Sequence, residues 1–282
     1  MSMNSFHARA GRPAHKPAKA EKAAERPHGM QRADALLVAK GLAPSRTRAR
    51  QLIDDGKVQA DGERVTKAGH LLPGSTMFVV EDDEQSRFVS RGALKLEAAL
   101  DASELDVTGM TCLDVGQSTG GFSDCLLQRG AARVVGVEVG HGQLHPRLAA
   151  DPRCITLEGI NARQLSADLL AEHFPPGGFD LIVCDASFIS LRLLIPRWPA
   201  LLAHGGQILA LVKPQFEVGP DKLAKGGVVR DPSLFEWVED VTHKAAHEAG
   251  LAVRGWFESP LIGGGVGNID GNREFLIWMQ KA

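Results

Sequence analysis

The sequence has only four cysteines in 282 residues, Cys112, Cys125, Cys154 and Cys184, and no C-x-x-C pair. That excludes a disulfide framework and a thiolate zinc site. Apolar strand residues or a helix start surround each of them, so buried structural thiols in a reducing cytoplasm are expected. No apolar run approaches the roughly 18–20 residues that span a bilayer. The best candidates, residues 180–185 and 207–212, are strand-sized, which argues against a membrane partner. The opening Met-Ser-Met-Asn-Ser-Phe-His has no apolar stretch, so no secretory signal is expected. His141 and His145 stand four apart without a suitably spaced third ligand, and no metal is expected. Nor is there an excess of one charge: 32 Lys+Arg face 34 Asp+Glu, a net charge of −2.

What is present is unevenly spread. Residues 1–29 hold six Lys/Arg and two Asp/Glu, residues 30–67 eight and five, and residues 87–282 eighteen and twenty-three. A basic front on a near-neutral chain points to a polyanionic partner. Residues 1–29 are Ala, Pro, Lys, Arg, His and Gly with few large apolar side chains, and a disordered basic tail is expected there.

Residues 30–80 have the texture of a small α+β domain. Ala35, Leu36 and Ala39 show helical spacing that ends at Gly41, and Ser45 is placed to cap a second helix with Ala49, Leu52 and Ile53 inside and Gly56 as its stop. Asp61-Gly62 between 58–60 and 63–65 predicts a two-residue hairpin, and a turn at 71–75 precedes a strand at 77–80. Arg46 and Arg50 share a helix face, with Arg48 and Lys57 near them. Arg32-Ala-Asp-Ala-Leu-Leu-Val-Ala-Lys-Gly-Leu-Ala-Pro-Ser-Arg and Leu52-Ile-Asp-Asp-Gly-Lys-Val resemble the S4 RNA-binding domain. The resemblance implies RNA contacts from Arg32, Arg46, Arg48, Arg50 and Lys57.

Residues 81–86, Glu-Asp-Asp-Glu-Gln-Ser, form an acidic linker. Beyond it, seven apolar strands (111–115, 133–139, 154–158, 179–185, 207–213, 251–259, 273–279) alternate with helical segments near 121–129, 143–149, 164–173, 189–202 and 233–249. The last helix is expected to be capped by Asp231 with Pro232 in its first position. The fold class is therefore α/β, a doubly wound, mostly parallel Rossmann-like sheet. Leu113-Asp-Val-Gly-Gln-Ser-Thr-Gly-Gly-Phe leaves the first strand and enters a helix. Asp114 precedes the first glycine, where it would repel a pyrophosphate, and Glu138 ends the next strand within reach of ribose hydroxyls. A zwitterion beside a ribose is what S-adenosylmethionine presents, so it is favoured over a nicotinamide dinucleotide.

The whole segment 87–282 resembles the TlyA, or hemolysin-A-like, family of ribosomal RNA 2′-O-methyltransferases with an FtsJ-like catalytic domain. The matching stretches include Arg87-Phe-Val-Ser-Arg-Gly-Ala-Leu-Lys-Leu, the glycine loop, Val137-Glu-Val-Gly-His-Gly-Gln-Leu, Asn161-Ala-Arg, Asp185-Ala-Ser-Phe-Ile-Ser, Leu211-Val-Lys-Pro-Gln-Phe-Glu, Gly226-Gly-Val-Val-Arg-Asp-Pro and Gly267-Asn-Ile. The resemblance implies a seven-stranded S-adenosylmethionine-dependent methyltransferase sheet whose last strand is antiparallel, and ribosomal RNA or ribosomal subunits as partner. It also implies a catalytic tetrad of Lys95, Asp185, Lys213 and Glu274. Lys213 would orient the ribose hydroxyl and take its proton, Asp185 would fix that lysine, and Glu274 would hold the lysines in register. Nearby Lys95 favours loss of the Lys213 proton and the carboxylates oppose it. Cofactor contacts are expected from Asp114, Gly116, Ser118, Thr119, Gly120, Gly121, Phe122, Glu138, Val139, Asn161 and Asp185, and RNA contacts also from Arg87 and Arg91.

Three features depart from the family pattern. Glu138 replaces a more usual aspartate, Gln117 stands where a small residue is common and would crowd the methionine end, and the segment 263–271 lengthens the loop before Glu274. Glu217 competes with Glu274 for the fourth place. Trp198, Trp237, Trp256 and Trp278 are expected in the core. The alternatives to an enzyme are a cytolysin, which the lack of spanning helices and barrel strands opposes, and a non-catalytic RNA-binding ribosome factor, which the intact tetrad opposes.

Overall fold

Two short helices and an Asp-Gly turn organise the N-terminal unit. In the computed structural model residues 30–43, 45–80, 87–263 and 271–281 are described, and the chain divides into units of residues 1–82 and 83–282. The tail expected over 1–29 and the linker over 81–86 lie outside the described residues. Helix α1 (Ala33–Ala39) buries Ala33, Leu36 and Leu37, and α2 (Arg46–Asp54) buries Ala49, Leu52 and Ile53. The Ser45 hydroxyl caps α2 by accepting from the Arg48 amide at 3.2 Å. Strands β2 (Val58–Ala60) and β3 (Glu63–Arg64) are joined by Asp61 and Gly62, both at positive φ, the backbone that a two-residue hairpin of this twist requires. β5 (Phe78–Val80) pairs with the other edge of β2. A second, two-stranded sheet of β1 (Met30–Arg32) and β4 (Leu71–Pro73) is not evident in the sequence, because three residues are too few for a period to show.

The second unit is built on a seven-stranded sheet. Its strands are β6 (Thr111–Val115), β7 (Arg133–Glu138), β8 (Cys154–Glu158), β9 (Phe179–Cys184), β10 (Leu202–Val212), β11 (Leu251–Glu258) and β12 (Phe275–Lys281). They lie in the order β11-β12-β10-β9-β6-β7-β8, and β12 runs antiparallel to the other six, as the family resemblance implied. Alternation along the strands sends Leu113, Val115, Val135, Val137, Ile182 and Cys184 into one core and Cys112, Val134, Leu181 and Val183 into another. Both faces are covered, which is why these strands read as nearly continuous apolar runs. Helices α3 (Gly92–Ser103) and α4 (Gly121–Gln128) pack into the second core through Ala93, Leu96, Phe122 and Leu126.

Several local expectations shift. α3 lies ahead of the first strand and is not among the expected helices. The helix expected over 143–149 is the single turn α5 (Pro146–Ala149). That over 164–173 reduces to α6 (Ala167–Leu170) between two 3-10 turns. That over 189–202 is a pair of 3-10 turns, since Pro196 and Pro199 remove helix donors. β10 begins five residues early and changes register between Leu202 and Gln207. After the turn α7 (Pro214–Glu217), helix α8 (Ser233–Glu248) starts one residue later than expected. Asp231 accepts there from the Ser233 amide at 3.0 Å and its hydroxyl at 2.7 Å. Trp237 is a correction. Val238 takes the core position, and one step of about 100° round α8 leaves Trp237 36% exposed, with Lys222 and Arg192 over its ring. All four cysteines are free and buried, and burial pushes the thiols of Cys125 and Cys184 up to about 12 and that of Cys154 to about 11. They are inert packing groups.

Candidate active site

The strand order places the ends of β6, β9 and β10 and the start of antiparallel β12 along one edge of the sheet, the usual ligand side of an open α/β fold. A cavity of about 500 Å³ opens there. Asp185 follows the last residue of β9, Lys213 the last of β10, and Glu274 precedes the first of β12; Lys95 comes from the first turn of α3. All four line the cavity. They form two ion pairs, Lys213 Nζ to Asp185 Oδ1 at 2.5 Å and Lys95 Nζ to Glu274 Oε2 at 2.5 Å. The side chain of Glu274 is 3% exposed and those of the lysines 13% (Lys95) and 9% (Lys213), while Asp185 is 24% exposed, so the Lys95–Glu274 pair is shielded from water and the other is shielded on its lysine side.

Glu217, the rival for the fourth place, is turned away. It accepts from the Ser190 hydroxyl and Leu191 amide at 2.6 Å and from Arg192 Nε at 3.1 Å, pinning the segment after β9. Glu274 is held by a local device. Gly263 and Asn272 exchange backbone hydrogen bonds at 2.8 and 2.9 Å, closing the base of the lengthened loop, whose residues 264–270 lie outside the described residues. A Cβ on Gly263 would strike the Glu274 carboxylate.

The glycine loop forms another part of the lining. Gly116, Ser118, Thr119, Gly121 and Phe122 line the cavity with Asp185. Gly116 has φ of 84°, and a Cβ there would lie 3.1 Å from Ala186 Cα, so any side chain would push the segment that carries Asp185. Five residues expected at the cofactor lie outside this lining. Asp114 is fully buried and accepts from the Ser123 hydroxyl at 2.7 Å; burial, reinforced by Asp185 and Glu138 and opposed by that hydrogen bond, raises its carboxyl to about 7. Glu138 accepts from the Ser118 and Gly140 amides, each at 2.9 Å, and so holds the loop. Gly120 faces Leu144 and Leu148, Val139 is exposed, and Asn161 caps a 3-10 turn through the Arg163 amide at 3.0 Å. Gln117 also lines the cavity, with its amide engaged: it donates to Ser123 at 2.8 Å and accepts from Thr156 at 2.7 Å, in space left by the missing side chain of Gly136.

The structure adds residues that motif spacing missed. Ser187 accepts from Lys213 at 2.7 Å. Phe188 is 90% exposed with φ of 63° at the cavity wall, its ring 5.2 Å from that of Phe216. The exposure and left-handed backbone of Phe188 mark it in the structure, and neither is a property of sequence spacing.

Among the expected RNA-binding residues, Arg32 and Arg46 meet on Asp34, at 2.9 and 3.0 Å. The Arg32 hydrogen bond leads the effects that hold the buried Asp34 carboxyl down to about 2. Arg50 is exposed, Arg48 and Lys57 are half-buried. In the other unit Arg87 pairs with Glu97 and lies 4.3 Å over the Phe88 ring, while Arg91 is exposed at the cavity rim. His141 bonds Glu158 and His145 caps α5; no group of His, Cys, Asp and Glu among the described residues is arranged to hold a metal.

Comparison with known proteins gives a consistent result. The FtsJ-like methyltransferase profile matches residues 88–281 and the S4 domain profile residues 31–77. The 16S/23S rRNA (cytidine-2′-O)-methyltransferase TlyA of Mycobacterium tuberculosis is 43% identical over 249 residues, 88% of this chain and 89% of that protein. A solved chain from Streptococcus thermophilus whose name includes the word hemolysin is 38% identical, with a TM-score of 0.68 over 90% of this chain and 89% of that one. A Listeria monocytogenes chain named with the words S-adenosylmethionine dependent methyltransferase, 13% identical with a TM-score of 0.51 over 68% of this chain and all of that one, shares the fold alone. No helix among the described residues is long and apolar enough to cross a membrane.

Proposed function

This chain belongs to the FtsJ-like methyltransferase family, and on that premise we propose that it methylates the 2′-hydroxyl of a cytidine in ribosomal RNA, in the cytoplasm, with S-adenosylmethionine as donor. The observation that carries this reading is the pair of lysine–carboxylate contacts on a cavity also lined by a glycine loop. A cavity of this size suits a small-molecule cofactor, and the close approach of the loop to Ala186 leaves backbone rather than side chains along its edge. Gly116, Ser118, Thr119, Gly121, Phe122 and Asp185 would hold the donor. Glu138 retains a second lone pair on each oxygen for ribose hydroxyls while it holds the loop.

S-adenosylmethionine supplies an electrophilic methyl group on a sulfonium. Lys213 takes the proton of the attacking hydroxyl, and Asp185 keeps its nitrogen in place. Glu274 neutralises Lys95, so that two lysines share one small cavity. Phe188, backed by Phe216, offers a face for the extruded base, since a 2′-hydroxyl inside a helix cannot reach a recessed site. Arg91 at the rim and the arginines of the S4 unit take RNA phosphates. A non-catalytic RNA-binding factor would have no use for two lysine–carboxylate pairs in a cavity.

The test is transfer of labelled methyl from S-adenosylmethionine to purified small and large ribosomal subunits. The wild type transfers to at least one, and Lys213→Ala loses at least about 100-fold in rate while still binding the donor. Absence of transfer by the wild type refutes the reading, and a methyl mapped to a base refutes the roles given to the tetrad.

A further inference from the structure

One polar contact in the cavity has no part in the tetrad. Lys213 Nζ lies 2.5 Å from Asp185 Oδ1 and donates to Ser187 Oγ at 2.7 Å. Both contacts, the Asp185 ion pair and the Ser187 hydrogen bond, come from residues 185–187, immediately after β9, and Phe188 then turns the chain with φ of 63°. A lysine ammonium has three N–H donors, and the neutral amine has two and one lone pair. The Ser187 hydroxyl takes one N–H in a hydrogen bond, and the ion-pair contact with Asp185 on the same short segment limits rotation of the nitrogen, which narrows the directions open to the lone pair. With Asp185 alone, rotation about the Cε–Nζ bond would spread that lone pair over several directions.

We propose that Ser187 is a positioning residue for methyl transfer: its hydroxyl, together with Asp185, aims the Lys213 lone pair at the ribose 2′-hydroxyl. The proposal rests on the ribose-methylation reading. In the step, the 2′-O–H bond breaks and its proton joins the lysine lone pair. The oxygen–methyl bond forms as the methyl–sulfur bond breaks, the electron pair stays on sulfur, and S-adenosylhomocysteine leaves. Ser187 gains and loses no atom. The other charged groups in the cavity are Arg91 at the head of α3 and the Lys95–Glu274 pair, which satisfies itself. The buried thiol of Cys184 lies behind Asp185. The sites that fix Lys213 are thus Asp185 and Ser187.

Steady-state methylation by full-length Ser187→Ala and Ser187→Thr tests it, with labelled donor and the ribosomal subunit that the wild type modifies. Ser187→Ala lowers kcat about tenfold, because the reacting pair loses alignment, and leaves KM for donor and subunit within about twofold. Ser187→Thr, which keeps the hydroxyl, recovers most of the rate. Donor binding by calorimetry and the melting temperature stay at wild-type values in both variants. Wild-type kcat in Ser187→Ala overturns the proposal. So does a loss confined to KM, a Thr variant no better than Ala, or a fall in kcat that comes with lost donor binding or a lowered melting temperature. If the wild type methylates neither subunit, the reaction itself is misassigned; if it does and Ser187→Ala keeps its kcat, only the role of Ser187 fails.

Discussion

Replacing Asp114 by asparagine gives a stability signature of definite sign. Asp114 is fully buried near the end of β6, and burial, with Asp185 and Glu138 adding to it and the Ser123 hydrogen bond opposing it, lifts its carboxyl to about 7. In the unfolded chain the same group titrates near about 3.9. Between those values the folded protein keeps a proton that the unfolded chain has lost, so stability falls as pH rises from about 4 to about 7 and levels off above. Worked through linkage, the full fall is on the order of 4 kcal/mol, with no discount for solvent because the side chain meets none. The amide that replaces the carboxyl has nearly the same shape, retains an oxygen for the Ser123 hydroxyl that Asp114 meets at 2.7 Å, and titrates in neither state. Urea unfolding of both proteins from pH 4.5 to 8 isolates the effect, since groups remote from Asp114 cancel in the difference. The wild type loses stability relative to Asp114→Asn as pH rises to about 7. A difference that is flat or runs the other way would refute the reasoning. Asp34, held down to about 2, works in the opposite sense and in a separate window, its contribution being lost only as pH falls from about 4 toward 2.

Two further outcomes test other parts of the structure. Glu274→Gln leaves Lys95 shielded without a carboxylate and is expected to cost about 3 kcal/mol, a fall of about 6–10 °C in the melting temperature of a unit of this size, read by calorimetry. A fall under about 1 °C would show that the pair contributes nothing. Arg50→Ala, on the exposed side of α2, should reduce the slope of log Kd against log salt for ribosomal RNA by about 1. An unchanged slope removes Arg50 from the interface.

Much of this site is legible in the sequence because strands buried on both faces appear as apolar runs, and the residue after such a run lands at the ligand edge of the sheet. Asp185 and Lys213 stand out in that way, and both line the cavity. The same rule says nothing about which way a side chain turns. Glu138 and Asp114 stand near strand ends too, yet one carboxylate is drawn to the Ser118 and Gly140 amides and the other lies against Ser123. Gln117 looks obstructive in the sequence because its length is visible there, whereas the vacancy at Gly136 that receives it belongs to a neighbouring strand. Phe188 escapes notice for a backbone reason, since its exposure depends on a single left-handed residue that no periodicity records. The one-turn α5 and the 3-10 turns at 191–200 show the limit of helical spacing, which reports apolar positions and not the missing donors of Pro196 and Pro199.

The near balance of 32 cations and 34 anions takes on a local meaning in the structure. Asp34 ties Arg32 to Arg46, Asp124 holds Arg147 and the Val89 amide, Glu217 holds Arg192, and Asp185 and Glu274 each hold a lysine of the cavity. A guanidinium has five donors, so an arginine that gives one or two to a buried acid still has others to offer a phosphate, from a side chain whose rotamers are already restricted. A lysine held by a carboxylate and a hydroxyl has a set direction instead of a free rotor. Each acid subtracts one charge from the total and adds orientation to its partner. A polyanion meeting these surfaces is therefore recognised by placed donors more than by net charge, and loss of Asp34 would weaken RNA binding by loosening Arg32 and Arg46 even though it makes the N-terminal unit more positive.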